Sequence, residues 1–113
     1  MTSFVSLNHH DSVAVITVDS PPVNALSQPV REGLKEAFTE AIEGAGEAGT
    51  RAIVLMCAGR TFIAGADISE FGKPPADPWL PEVLSAMEAS PIPVISAIHG
   101  TALGGGLETA MAC

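Results

Sequence analysis

The sequence has few basic residues and no long apolar run. Its 113 residues include 5 lysines and arginines against 13 aspartates and glutamates, giving a net charge of −8. Nucleic-acid binding needs clustered cations, so nucleic acid is excluded as the expected partner. No apolar stretch is long enough to span a membrane. The first cation is Arg31, which argues against a secretory or transit signal and predicts a cytoplasmic protein.

Aromatic residues and cysteines are also scarce. Aromatic residues make up 4% of the chain, and there are two cysteines, Cys57 and Cys113. Two isolated cysteines indicate neither a disulfide framework nor a metal site, and they fit a reducing compartment. Hydrophobic residues nevertheless reach 47%. This balance favours a layered α/β domain over a disordered chain.

Strand-like and helix-like patterns alternate along the chain, which predicts an α/β architecture. The predicted elements are two strands within 4–19, strands at 51–56 and 92–98, and helices at 30–43 and 80–89. The first two strands are expected to meet at a polar tip formed by residues 8–12. Ser27 is the predicted N-cap of the first helix. A last helix starts at Gly106 and is unfinished at Cys113, so the sequence is expected to end inside an element.

Two glycine-rich turns each follow an apolar strand. They are Ala64-Gly65-Ala66-Asp67 and Gly104-Gly105-Gly106-Leu107-Glu108. Glycines let the backbone approach a ligand closely, and the amides of such turns can point outward. Two turns from separate strands could therefore place two N–H donors around one oxygen, as an oxyanion hole with Glu108 beside it.

Glu108 has a structural and a functional interpretation. A glutamate in the first turn of a helix is stabilised by the helix dipole by about 0.3–1 kcal/mol, which requires no catalytic role. Three consecutive glycines, however, cost helix propensity at about 1 kcal/mol each. That loss is easier to explain if a ligand approaches the backbone at this point. We therefore favour the functional interpretation.

The same glycines permit a weaker interpretation as a dinucleotide-binding turn. The fingerprint G-x-G-x-x-G is matched at Gly104 and Gly106, but Thr109 occupies the third position. A phosphate-binding P-loop is excluded because no lysine or arginine follows Lys73. Nicotinamide binding is therefore the minor alternative for this turn.

The remaining polar residues near these turns have structural interpretations. His9 and His10 fall on the predicted hairpin tip, where solvation is expected and metal binding is the minor alternative. For His99 we favour a packing role over a catalytic one. Asp67 is expected to form an Asx-type hydrogen bond that shapes its turn and presents the Ala66 N–H.

At these residues the chain resembles the crotonase, or enoyl-CoA hydratase/isomerase, family. The resemblance rests on residues 60–68 and 93–108, with support from 13–18 and 22–27, and covers nearly the whole chain. It implies a crotonase/ClpP-like spiral of ββα units, of which residues 1–113 would form the N-terminal part of a single domain. The segment Pro-Pro-Val-Asn-Ala-Leu also resembles the hydratase part of enzymes fused to a 3-hydroxyacyl-CoA dehydrogenase.

The resemblance implies specific roles at the two turns. The Ala66 and Gly105 N–H groups would form the oxyanion hole for an acyl-CoA thioester, and Glu108 would activate water. The residues implied to contact the CoA substrate are Ala25, Leu26, Ala64, Asp67, Ile68 and Ser69. The second catalytic carboxylate of the family would lie beyond Cys113.

The implied reaction is hydration of a 2-enoyl-CoA to a 3-hydroxyacyl-CoA in fatty acid β-oxidation. Enoyl-CoA isomerisation, or another acyl-CoA reaction of the family, is the alternative within it. A non-catalytic acyl-CoA-binding module is the alternative from another class. No metal or cofactor is implied beyond the coenzyme A carried by the substrate. A homo-oligomer, trimer or hexamer, is expected unless a dehydrogenase domain is fused.

Overall fold

A mixed four-stranded sheet forms the centre of the protein. The computed structural model describes residues 4–46 and 49–113. The strands are β1 (Val5–His10), β2 (Val13–Val18), β3 (Ala52–Cys57) and β4 (Val94–Ser96), in that spatial order. β1 and β2 pair antiparallel, whereas β2–β3 and β3–β4 pair parallel. The α/β class predicted from the sequence is confirmed.

Three α-helices and one short 3₁₀ helix lie between and after these strands. They are α1 (Gln28–Glu43), the 3₁₀ helix Ile68–Glu70, α2 (Leu80–Glu88) and α3 (Gly105–Met111). The predicted N-cap is confirmed, because the Ser27 side chain accepts a hydrogen bond from the Val30 N–H. Proline is compatible with the first turn of a helix, so α1 includes Pro29 and starts directly after this N-cap, two residues before the apolar periodicity that begins at Val30. α3 starts one residue early, at Gly105.

The core lies between α1 and the sheet, with α2 packed against α1. Alternate residues of β2 and β3 point into it, and α1 contributes one apolar face. The largest fully buried side chains are those of Phe38, Phe62, Ile16, Leu34, Ile53, Leu55, Ile63 and Met87. Burial of this apolar surface is the main force that holds the helices on the sheet.

Two strands differ from their predicted bounds by more than one residue, whereas β3 is displaced by one. β1 continues through His10, which pairs with Val13, so the tip consists of Asp11 and Ser12 rather than residues 8–12. Because β1 lies at the edge of the described sheet, its last residues are exposed and polar like those of a loop. β4 spans three residues rather than 92–98, and Pro93, which lacks an N–H, stands before it.

The fold brings the two glycine-rich turns to the same end of the sheet. β3 and β4 are parallel neighbours, so the segments that follow them leave from the same edge. These segments stay paired: Ile63 forms a parallel bridge with Ala102, and the Leu103 N–H donates to the Ile63 carbonyl at 3.2 Å. The carboxyl ends of parallel strands are a common location for ligand sites in α/β proteins.

Candidate active site

The first glycine-rich turn lies between two other backbone segments. On one side it pairs with the turn after β4, through Ile63 and Ala102. On the other side Ala66 forms a parallel bridge with Leu26, whose N–H donates to the Gly65 carbonyl at 2.8 Å. Three segments that are far apart in sequence therefore form a small extension of the sheet.

Backbone geometry alone explains why glycine occupies two of these three consecutive positions. Gly104 has φ +52°, a conformation that side-chain-bearing residues rarely adopt. A Cβ at Gly106 would overlap the Ile63 carbonyl oxygen. The sequence interpretation attributed the cost of all three glycines to ligand approach. In the structure that reasoning applies to Gly105 alone, because backbone geometry explains the other two.

Ala66 and Gly105 line one cavity of about 550 Å³. Within residues 4–46 and 49–113, neither of their N–H groups is hydrogen-bonded to another part of the chain. Leu26 and Leu80 flank Gly105, and a Cβ there would lie 3.0 Å from a methyl carbon of each. Two residues with free backbone donors thus line the same cavity, which has apolar neighbours. Amides in such an environment can bind a developing negative charge on oxygen.

The loop between the 3₁₀ helix and α2 forms another wall of this first cavity. Its lining is largely apolar, and the apolar residues from this loop are Phe71, Pro74, Pro75, Ala76 and Trp79. Polar groups are fewer and include Gln28, Arg31 and Lys73. An apolar cavity with a few polar groups is the usual form of a small-molecule site.

A second cavity of about 690 Å³ lies beside the same turn. Three of the predicted CoA contacts, Ala25, Ala64 and Ile68, line this second cavity. Ala66 and Asp67 line both cavities, so their turn lies between the two spaces.

Two of the predicted substrate contacts do not line the second cavity. Leu26 lines only the first cavity, whereas Ser69 lines neither of them and is exposed.

Asp67 forms the predicted Asx-type bond. Its Oδ1 accepts hydrogen bonds from the Ser69 hydroxyl at 2.7 Å and from the Ser69 N–H at 2.9 Å. These bonds stabilise the ionised form and hold the pKa of the Asp67 carboxyl below its usual range. Ser69 thereby shapes the turn that carries Ala66.

Glu108 lies in the first turn of α3 and is exposed. It lines neither of the two cavities beside Ala66, and its carboxylate has no hydrogen-bond partner within the described residues. Its backbone N–H donates to the Gly104 carbonyl at 3.0 Å. The described residues therefore place Glu108 one helical turn from Gly105 without bringing its carboxylate to the two free amides.

Asn24 is a structural residue whose role the sequence analysis missed. It is buried, with φ +52°. Its Nδ2 donates to the carbonyls of Ala58 and Thr61, each at 2.9 Å, and its Oδ1 accepts from the Ser20 N–H at 2.8 Å. Asparagine tolerates positive φ better than most residues, and this was the available signal in the turn before α1. Asn24 fixes the segment that pairs with Ala66.

Arg31 and Glu70 were also missed. Arg31 stands on α1, where an arginine is normally solvated, yet its side chain is 12% exposed and pairs with Glu70 at 3.0 Å. A helical surface pattern gives no sign of such a contact, because the partner is 39 residues away.

His99 and the cysteines have structural environments. The His99 ring is exposed and its Nε2 lies 2.6 Å from the Gly59 carbonyl oxygen, so it contacts the neighbouring loop through a hydrogen bond rather than by burial. Burial raises the pKa of the Cys57 thiol to about 12, and burial likewise raises that of Cys113. Thiols with raised pKa values are poor nucleophiles. None of the described helices is long and apolar enough to cross a membrane.

Comparison with known proteins identifies the family. The family described as enoyl-CoA hydratase/isomerase matches residues 8–113. The chain belongs to this family. The crotonase resemblance predicted from the two turns is thereby confirmed.

The similar proteins include a probable hydratase and a much longer bifunctional enzyme. A probable enoyl-CoA hydratase of Bacillus subtilis is 43% identical over 116 residues, covering 96% of this chain and 44% of the relative. A peroxisomal bifunctional enzyme of Danio rerio is 43% identical over 102 residues, covering 90% of this chain and 14% of that enzyme. The chain thus spans less than half the length of these relatives.

Solved structures show the same fold. An enoyl-CoA hydratase/carnithine racemase from Magnetospirillum magneticum superimposes with a TM-score of 0.88 at 33% identity, covering all of this chain and 45% of that structure. The predicted crotonase fold is confirmed by this similarity. In this chain the two free amides lie on the paired turns after β3 and β4.

Proposed function

We propose that the protein carrying this chain hydrates 2-enoyl-CoA thioesters in fatty acid β-oxidation. The observation that carries the proposal is that Ala66 and Gly105, whose N–H groups are free within the described residues, line one cavity. Membership of the enoyl-CoA hydratase/isomerase family and similarity to proteins named as hydratases support it. Similarity to a bifunctional enzyme supports a whole protein in which the hydratase is fused to a second enzymatic domain.

The two amides stabilise the transition state of the proposed reaction. Addition of water across an enoyl thioester drives negative charge onto the carbonyl oxygen as an enolate forms. Two preorganised N–H donors in an apolar cavity bind that oxygen more strongly than they bind the neutral carbonyl. Loss of one such donor typically lowers kcat by about 10²–10³.

Glu108 is the proposed general base that takes a proton from the attacking water. Its place one helical turn after Gly105 puts it on the element that also supplies the second amide. Protonation of the neighbouring carbon requires a second acid, which we expect beyond Cys113. An exposed carboxylate such as Glu108 retains freedom to turn toward a bound substrate.

The two cavities suggest how the thioester lies. The first is lined mainly by apolar groups such as Phe71, Trp79 and Leu80 and suits the acyl chain. The second contains Ala25, Ala64 and Ile68 and suits part of the coenzyme A moiety. A thioester that passes between them would place its carbonyl at Ala66, which lines both.

The test is hydration of crotonyl-CoA by the full-length protein. The reaction is monitored through the loss of absorbance of the conjugated thioester, and the product is identified as 3-hydroxybutyryl-CoA. Formation of this product supports the proposal. Binding of acyl-CoA without turnover would instead support the binding-module alternative and refute the hydratase assignment.

Isomerisation is the second candidate, because it uses the same oxyanion donors but needs no activated water. The exposed position of Glu108, outside both cavities, is the observation that favours it. A 3-enoyl-CoA substrate distinguishes the two reactions. Conversion to the 2-enoyl isomer without any hydration of crotonyl-CoA would assign the protein as an isomerase.

Cytoplasmic location and a homo-oligomeric state stay predictions. Several relatives are named as peroxisomal enzymes, so location in the cell needs its own measurement.

A further inference from the structure

Arg31 connects three separate segments around the first cavity. Its Nη1 donates to the Leu26 carbonyl at 2.7 Å. Its Nε donates to the Pro78 carbonyl at 2.8 Å, and its Nη2 donates to the Ala76 carbonyl at 2.9 Å. A planar guanidinium can serve several acceptors at fixed angles, whereas a lysine ammonium acts as a single point.

Glu70 holds the other end of the same loop. One carboxylate oxygen accepts from Arg31 at 3.0 Å, and the other accepts from the Gln28 N–H at the start of α1 at 2.8 Å. Gln28 in turn donates from its side chain to the Asp77 carbonyl at 2.8 Å. The start of α1 is thus bonded to both ends of the loop that closes the first cavity.

The middle of this loop has no comparable attachment. Among the residues that the structure describes, 71–75 make only local backbone hydrogen bonds, from the Phe71 N–H to the Ile68 carbonyl and from the Lys73 N–H to the Glu70 carbonyl. Glycine and proline residues occupy much of the segment. The position of Phe71 and its neighbours in the cavity wall therefore depends on the anchors at Glu70 and at residues 76–78.

We propose that Arg31 is a positioning residue that holds the cavity wall at residues 70–78 and thereby determines how well long acyl chains bind. The inference rests on the proposed function, since it assumes that the first cavity takes the acyl chain. In the proposed orientation a short acyl group would occupy only the part of the cavity beside Ala66 and Gly105. A long acyl chain would also contact the loop, so displacement of the loop weakens the binding of long chains more than that of short ones.

The experiment compares Arg31→Lys with the wild type in the full-length protein. Dissociation constants are measured by calorimetry for the saturated ligands butyryl-CoA and decanoyl-CoA, and KM and kcat are measured for crotonyl-CoA and decenoyl-CoA. Lysine keeps the charge beside Glu70 but cannot reach all four acceptors. Loss of hydrogen bonds that involve a charged group is expected to weaken decanoyl-CoA binding and raise the KM for decenoyl-CoA by about tenfold, with butyryl-CoA binding and kcat little changed.

The matched control is Lys35→Met, one turn further along α1. Lys35 is exposed, pairs with Glu82 at 3.4 Å and lines neither of the two cavities beside Ala66. This variant loses a cation and its ion pair with Glu82 but none of the hydrogen bonds that hold residues 70–78, and it is expected to bind both ligands like the wild type. Glu70→Gln is the second test variant, because it removes only the carboxylate end of the anchor and leaves the carbonyl contacts of Arg31 in place.

Weaker binding of decanoyl-CoA, with unchanged binding of butyryl-CoA, in both Arg31→Lys and Glu70→Gln supports the inference. Equal effects on the two chain lengths, or no effect in a folded Arg31→Lys or Glu70→Gln variant, would overturn it. A wild type that binds both ligands but does not hydrate crotonyl-CoA refutes the proposed reaction and still tests Arg31 through the dissociation constants. A wild type that binds neither ligand overturns both proposals.

Discussion

Gly105 offers a direct test of the proposed oxyanion donors, because it is the first helical residue of α3 and Gly104 is the N-cap. Proline is well tolerated at this position, where an N–H has no partner within the helix. Gly105→Pro removes the donor and puts a ring carbon in its place. We expect kcat/KM for crotonyl-CoA to fall by about 10²–10³ while the fold is kept.

Gly105→Ala is the matched control for that substitution. It keeps the N–H, and its Cβ would lie 3.0 Å from the ends of the Leu26 and Leu80 side chains, which can move. We expect a much smaller loss of rate than in the proline variant. Near-normal hydration by a correctly folded proline variant would remove Gly105 from the mechanism.

Glu108→Gln tests the proposed general base at the same scale. The amide keeps the size of the side chain but cannot take a proton from water, so kcat for crotonyl-CoA should fall by at least about 10². The dissociation constant for butyryl-CoA should change little, because the exposed carboxylate contributes to neither cavity wall. Glu88→Gln, on the exposed side of α2, is the control. An unchanged kcat in Glu108→Gln would exclude the general-base role.

At the scale of elements, the approach of α3 to the segment after β3 depends on Gly106. A Cβ at this residue would overlap the backbone of Ile63, which cannot move aside as a flexible side chain can. We expect Gly106→Ala to lower the free energy of unfolding of the full-length protein by about 1–3 kcal/mol, as overpacking does. Urea titration followed by circular dichroism measures the change.

Gly105→Ala serves as the stability control here too, since its added carbon meets two leucine methyl groups rather than backbone. It should unfold at a urea concentration close to that of the wild type. If both alanine variants were equally stable, the close contact between α3 and Ile63 would not contribute to stability.

The elements also show what could be predicted from the sequence. The apolar periodicity of α1 and the two glycine-rich turns are patterns of neighbouring residues, so the sequence predicts both. The two turns also indicated the correct family. The anchors of the cavity wall depend on bonds between residues 39 to 49 positions apart. No local pattern records such bonds, so the role of Arg31 emerged only from the structure. The true length of β4 was missed for a similar reason, because its ends are set by pairing with β3.

At the scale of the whole molecule, large apolar side chains are exposed along β4, α3 and their connection. They are Ile95, Ile98, Leu103, Leu107 and Met111, with between 45% and 74% of their surface accessible. β4 is also at the edge of the described sheet. Apolar residues concentrated beside a strand edge favour association with another chain or segment.

The polypeptide of residues 1–113 expressed alone is therefore expected to self-associate and to lack hydratase turnover. Its exposed apolar side chains favour association, and the second proton-transfer group of the proposed mechanism is expected beyond Cys113. Sedimentation velocity at several concentrations measures the association, and replacing Leu107 and Met111 by glutamine should reduce it. Crotonyl-CoA hydration is assayed on the same samples, with the full-length protein as the positive control. A monodisperse monomer that hydrates crotonyl-CoA as fast as the full-length protein would mean that the active site is not where Ala66, Gly105 and Glu108 place it.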